Sequence, residues 1–77
     1  MIDLDGPDPL RAQIASVLRG RIVSGEYQVN RRIPSEAELS DEFGVSRNSV
    51  RAAIKLLTDD GILRSVRGRG TFVVRQP

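Results

Sequence analysis

At 77 residues the chain has room for one small domain with a modest core, because a chain of this size buries only about 60% of its unfolded surface. It has no cysteine and no histidine, which removes disulfide staples, thiolate sites and the commonest metal ligand and general base. The net charge of +2 hides a division: residues 1–46 carry five Arg against eight acids, whereas residues 47–77 carry seven bases against Asp59 and Asp60 alone.

A cationic half beside an acidic half directs one face at a polyanion. Eleven of the twelve bases are Arg, the side chain that forks onto phosphate and guanine. The aromatics are Tyr27, Phe43 and Phe72, too few for a base-stacking platform, which argues against single-strand binding. No apolar run approaches the roughly 20 residues that span a bilayer. The acidic, polar start MIDLDGPD is no signal peptide. A cytoplasmic protein is expected.

Residues 1–8 read as a loose lead-in. Asp8 then Pro9 reads as a helix start, with Asp as cap and Pro in the first turn. Leu10, Ile14, Val17, Leu18 and Ile22 repeat at helical spacing, so Pro9 to about Ser24 is an amphipathic structural helix that Gly25 ends. Arg11 and Arg19 should be solvated. Glu26 to Ile33 has no helical period and reads as a loop with a turn at Asn30. Arg32-Ile33 should be extended, because the residue before Pro34 is pushed out of helical geometry. Arg31 and Arg32 are read as facing water, with a phosphate as the alternative.

Ser35-Glu36-Ala37-Glu38 matches a capping box that opens a short helix over about Glu36 to Phe43, with Leu39 and Phe43 facing the core. Its N-terminus could aim backbone N–H groups at a phosphate beside Ser35. Gly44-Val45-Ser46 is a tight turn, with Val45 buried between two helices. Ser46 then caps a third helix that runs to about Asp60 and stops at Gly61. Val50, Ala53, Ile54 and Leu57 form its apolar stripe. Asn48, Arg51 and Lys55 lie opposite, with Arg47 on the flank and the small Ser49 and Ala52 permitting close approach.

Arg, Asn and Lys are side chains that bond base edges and phosphates. An ordinary solvated helix face has the same look, so the neighbouring elements decide. Two helices joined by a short Gly-containing turn, the second carrying the polar face, form a helix-turn-helix unit. Asp59 and Asp60 sit poorly against the helix dipole, and no energetic reason for them is read from the sequence.

Ile62–Arg67 and Thr71–Arg75 are two β-prone runs around Gly68-Arg69-Gly70 and read as a hairpin. Its tip bears Arg67 and Arg69, suited to a phosphate backbone or a minor groove. A plain hairpin with solubilising arginines is the alternative, weakened by the helix-turn-helix just before it. The fold class is therefore α+β, mainly helical: a winged helix-turn-helix of three helices plus a C-terminal β-hairpin wing.

Ile33-Pro34-Ser35-Glu36, Phe43 to Arg51, Asp60-Gly61-Ile62-Leu63 and Gly68-Arg69-Gly70-Thr71-Phe72-Val73 together resemble the N-terminal DNA-binding domain of the GntR family of bacterial transcription regulators. The likeness covers about Pro9 to Val74, and Pro9-Leu10-x-x-Gln13-Ile14-Ala15 further resembles the HutC subgroup. The resemblance implies a sequence-specific double-stranded DNA-binding domain over residues 9–75, in a repressor that reads an inverted-repeat operator as a homodimer. It implies that Arg47 and Arg51 read or clamp near bases, with Asn48 and Ser49 as the small polar pair between them. Ser35 and Ser46 correspond to cap residues near phosphates. Arg67, Gly68, Arg69, Gly70 and Thr71 correspond to the wing at the minor groove and backbone.

Two positions depart from the family pattern. Ala37 stands where many members carry Arg, which removes one DNA contact, and Asn30 stands where Gly is usual. Such regulators also carry a C-terminal domain for effector binding and dimerisation, of the UTRA type in the HutC subgroup. That domain is absent from these 77 residues, so a small-molecule effector is expected only through it. No catalytic residue, cofactor or metal is expected. The rival readings are a winged helix used only for protein contacts, which would need an apolar patch where Arg, Asn and Lys stand, and an enzyme, for which no catalytic group converges.

Overall fold

The structure, a computed structural model, describes residues 2–77. Helix α1 spans Leu10–Val23 and buries Ile14, Ala15, Leu18 and Ile22, with Leu10 and Val17 packed at the rim. Its start differs from the sequence expectation. Pro9 is itself the N-cap at φ −55° and ψ 146°, and no side chain caps the helix. The extended ψ of Pro9 places Asp8 one residue too early to reach the first-turn N–H groups. The Pro9 carbonyl instead accepts from the N–H groups of Ala12 and Gln13 at 3.0 and 3.1 Å.

The lead-in is not loose over its described residues, because the Gln13 amide holds it. Gln13 Nε2 donates to the carbonyls of Asp3 at 2.7 Å and Asp8 at 3.0 Å, and Gln13 Oε1 accepts from the Asp3 N–H at 2.6 Å. Met1 lies outside the described residues.

The loop after Gly25 turns at Asn30, whose φ of 68° is left-handed, a conformation that Asn tolerates better than most residues. Tyr27 is buried beneath it. Arg21 of α1 donates to the Tyr27 hydroxyl at 2.6 Å and forks onto the Glu42 carboxylate of the second helix. Its guanidinium also lies over the Tyr27 and Phe43 rings, at 5.7 and 5.2 Å from their centroids. One arginine thus joins α1, the loop and the second helix.

Helix α2 spans Glu36–Phe43 and carries the full capping box. Ser35 Oγ accepts from the Glu38 N–H at 3.1 Å, and Glu38 Oε1 accepts from the Ser35 N–H at 3.1 Å. Leu39 and Phe43 enter the core, and Gly44 ends the helix in the left-handed region at φ 67°. Val45 is only partly buried at the edge of the core. Helix α3 spans Arg47–Asp59, one residue short of the expected end, with Asp60 as C-cap. Ser46 caps it through the Ser49 N–H at 3.1 Å, and Val50, Ala53, Ile54 and Leu57 are buried. Partners offset the two acids at its C-terminus: Lys55 pairs with Asp59 at 3.1 Å, and Arg19 of α1 pairs with Asp60 at 3.0 Å. Arg19 is therefore a helix–helix tie, not a free solvated charge.

Strands β1 (Leu63–Val66) and β2 (Gly70–Val73) pair antiparallel, Leu63 opposite Val73 and Val66 opposite Gly70. Gly70 thus belongs to the strand, and the connection is Arg67-Gly68-Arg69, one residue earlier than the glycine pattern suggests. Leu63 and Val73 anchor the hairpin in the core. The free edge of β2 takes up the loop ahead of α2. The Asn30 N–H donates to the Val73 carbonyl at 2.8 Å, the Ile33 N–H to the Thr71 carbonyl at 2.9 Å, and Arg32 bridges Phe72. The wing is thereby fastened along its β2 edge to the loop ahead of α2.

Candidate nucleic-acid interface

The capping box, the α3 face and the wing converge on one open cleft of about 820 Å³. The capping serine fixes where α2 begins, so the positive end of that helix opens into the cleft, where it favours an anion. The buried stripe of α3 fixes its rotation and turns Arg47 and Arg51 to the same side. The register of the hairpin fixes the third wall, formed by Arg67 through Thr71.

Of the residues singled out in the sequence, Ser35, Arg47, Arg51, Arg67, Gly68, Arg69, Gly70 and Thr71 line this cleft. Ser46, Asn48 and Ser49 do not. Ser46 and Asn48 stand exposed at the start of α3 beside it, and Ser49 is half-buried with its hydroxyl 3.0 Å from that of Ser46. Asn48 Oδ1 accepts from Arg51 Nη1 at 3.4 Å.

The arginines differ in what holds them. Among the described residues Arg47, Arg67 and Arg69 have no carboxylate within 4.0 Å and stand exposed. Arg51 is paired with Glu36 at 2.9 Å, and that hydrogen bond holds its guanidinium above the usual arginine range. The second acid of the α2 start is also engaged. The Ser35 backbone N–H, then the Ser35 hydroxyl and the charge of Arg32, hold the Glu38 carboxyl below the usual range. The cleft therefore presents cations, hydroxyls and a helix N-terminus, while its two acids are already partnered. That surface fits a polyanion.

Among the further residues that line the cleft are Arg32, expected to face water with a phosphate as the alternative, and Glu36, to which sequence reasoning assigned no site role. For Arg32 the available signal was its extended position before Ile33-Pro34, which permits pairing with a strand but does not say which one. For Glu36 there was only its place in the capping motif. Among the described residues no group of three or more metal-ligating side chains is assembled, and no helix is long and apolar enough to cross a membrane.

Comparison with known proteins extends this geometry. Residues 10–73 match the family described as bacterial regulatory proteins, gntR family. The HTH-type transcriptional repressor NagR of Bacillus subtilis is 42% identical over 72 residues, covering 94% of this chain and 30% of that protein. The histidine utilization repressor of Pseudomonas putida is 41% identical over 69 residues, covering 90% of this chain and 28% of that protein. The chain thus spans under a third of the length of these relatives.

Among solved structures, AraR(DBD) in complex with operator ORX1 superposes with a TM-score of 0.88 at 38% identity, covering 96% of this chain and 95% of that one. YtrA of Sulfolobus acidocaldarius, a GntR-family transcription factor, superposes with a TM-score of 0.87 at 31% identity, covering all of this chain and 81% of that one. With the winged helix-turn-helix, the cationic cleft and a family match over nearly its whole length, the chain belongs to the gntR family of bacterial regulatory proteins.

Proposed function

We propose that residues 9–75 are a sequence-specific double-stranded DNA-binding domain of a transcriptional repressor. The α3 helix enters the major groove, where Arg47, Asn48, Ser49 and Arg51 meet bases and adjacent phosphates. The wing, Arg67 to Thr71, lies at the flanking minor groove and backbone, the α2 start with Ser35 sets register on a phosphate, and Ser46 caps α3 near the DNA backbone. The observation that carries this reading is the cleft itself: recognition-helix and wing arginines share one wall-to-wall surface with a helix N-terminus. The operator-bound AraR domain of the same fold adds support.

A two-fold operator needs two copies, because half-sites mirror protein symmetry. The working form is therefore a homodimer on an inverted repeat in the cytoplasm. Response to a small effector belongs to a region outside residues 9–75. The chain acts by occupying DNA and has no catalytic role.

Fluorescence anisotropy against a random pool of short duplexes, at low and moderate salt, tests this, with sequencing of the bound fraction. Enrichment of one half-site or inverted repeat, with steep salt dependence, is expected. Salt-dependent binding without enrichment would remove the sequence-reading role. No binding at low salt would favour a protein-contact module.

A further inference from the structure

Arg32 reaches the wing from the loop between α1 and α2. The backbone bonds of Asn30 and Ile33 to β2 lay this segment along the strand, opposite Phe72. Its side chain then runs across Gly70 toward the turn. A Cβ at position 70 would stand 2.6 Å from Arg32 Cδ and 3.1 Å from Cγ, so the arginine stem occupies the space that any other residue would fill. Gly70 has a φ of 120°, which independently demands glycine.

At the far end, Arg32 Nη1 donates to the Arg69 carbonyl at 3.2 Å. A guanidinium has five N–H donors, and this bond uses one. The side chain is exposed and, among the described residues, has no carboxylate within 4.0 Å. The nearby Glu38 carboxylate is taken up by the Ser35 N–H. A cation whose stem is already ordered loses little further entropy on binding an anion.

We propose that Arg32 is a DNA-phosphate ligand, with its stem laid over Gly70 and its head fixed by the Arg69 carbonyl between the wing and the start of α2. The assignment rests on the DNA-binding reading above. It adds to the interface a residue outside both the recognition helix and the wing. It also explains why the wing turn and the loop before α2 are built as one unit: the wing aims Arg32, and Arg32 in turn steadies the wing carbonyl.

The test compares the unaltered chain, Arg32→Ala and Arg32→Lys on a duplex enriched from the random pool and on a scrambled duplex of equal length. Thermal melting confirms that each variant is folded. Arg32→Ala should weaken both duplexes by a similar factor and reduce the slope of log affinity against log salt by about 1. Between about 50 and 200 mM salt its affinity then falls about fourfold less than that of the unaltered chain. Arg32→Lys should keep the original slope. An unchanged slope for Arg32→Ala would overturn the proposal, whether or not affinity falls, because loss without a slope change marks a strut and not a phosphate ligand. Loss of slope in Arg32→Lys equal to that in Arg32→Ala would also overturn it. Absence of binding by the unaltered chain would defeat the DNA-binding reading first, and this proposal with it.

Discussion

Arg51 of α3 is gripped by Glu36, the first residue of α2. Nη2 lies 2.9 Å from Oε1, and Nε lies 3.3 and 3.2 Å from the two carboxylate oxygens. The Arg51 side chain is well exposed and that of Glu36 is half-buried, so the pair adds little to stability. Its consequence is positional and electrostatic. Arg51 is held against the start of α2, and part of its charge is offset before any polyanion arrives. Glu36→Ala should therefore raise affinity for scrambled duplexes by about fivefold, the scale of one surface charge interaction. Preference for the enriched duplex should narrow, because Arg51 loses its fixed direction. Paired anisotropy titrations check both effects, and a preference that widens would contradict this role.

Arg47 stands next to Arg51 without a carboxylate partner and is free to meet a base edge. Arg47→Ala should cost about 1–3 kcal/mol on the enriched duplex and relax base preference at one position of the site. Competition binding with single-base variants of that duplex reads this directly. Equal losses on enriched and scrambled duplexes would assign Arg47 to phosphate alone.

Arg69 sits at the wing turn with its guanidinium unpaired and its carbonyl engaged by Arg32. Arg69→Ala leaves that carbonyl in place and removes only the charge. Affinity should fall on all duplexes alike, with the salt slope reduced by about 1. A full slope in this variant would take the wing tip out of the phosphate contacts.

Stability should weaken in acid through two carboxylates of α2, one tied to α1 and one in the capping box. Glu42 is held below its ordinary value of 4.5, chiefly by the Arg21 hydrogen bond, and Glu38 is held below the same value by the Ser35 N–H. Lowered folded-state values mean that the stabilisation is fully present above about 4.5 and is lost as pH falls through the folded-state values. The melting temperature should stay level from neutral pH to about pH 5 and then decline. Glu42→Gln should cost about 1 kcal/mol at neutral pH, reduced from a fully buried charged hydrogen bond because Glu42 is partly exposed. It should also flatten the acid decline, and chemical denaturation across pH measures both.

Local chemistry made most of this fold legible. The apolar stripe Val50, Ala53, Ile54, Leu57 needs only helical spacing, the Ser35–Glu38 box needs three residues, and Gly44 or Asn30 announces its own backbone geometry. The errors lie where competing local choices are one residue apart. Pro9 took the cap position expected of Asp8, because its ψ is extended, and the hairpin turn slipped one residue because Gly70 serves the strand as well as any turn. What stayed hidden was long-range. Arg19 with Asp60, Arg21 with Glu42, Arg51 with Glu36 and Arg32 with the Arg69 carbonyl are pairs that no spacing rule connects. Hence the candidate site was readable as a set of residues but not as an arrangement: which arginines are free and which are held is decided by tertiary contact.

The most direct measurement is a two-dimensional NMR titration of the isotope-labelled chain with an enriched duplex. The largest backbone and side-chain shifts should fall on Arg32, Ser35, Glu36, residues 46–51 and residues 67–71, with the outer face of α1 around Arg11 and Ser16 unmoved. Shifts concentrated on the exposed apolar side chains Val23 and Val74, with the cleft silent, would contradict this interface.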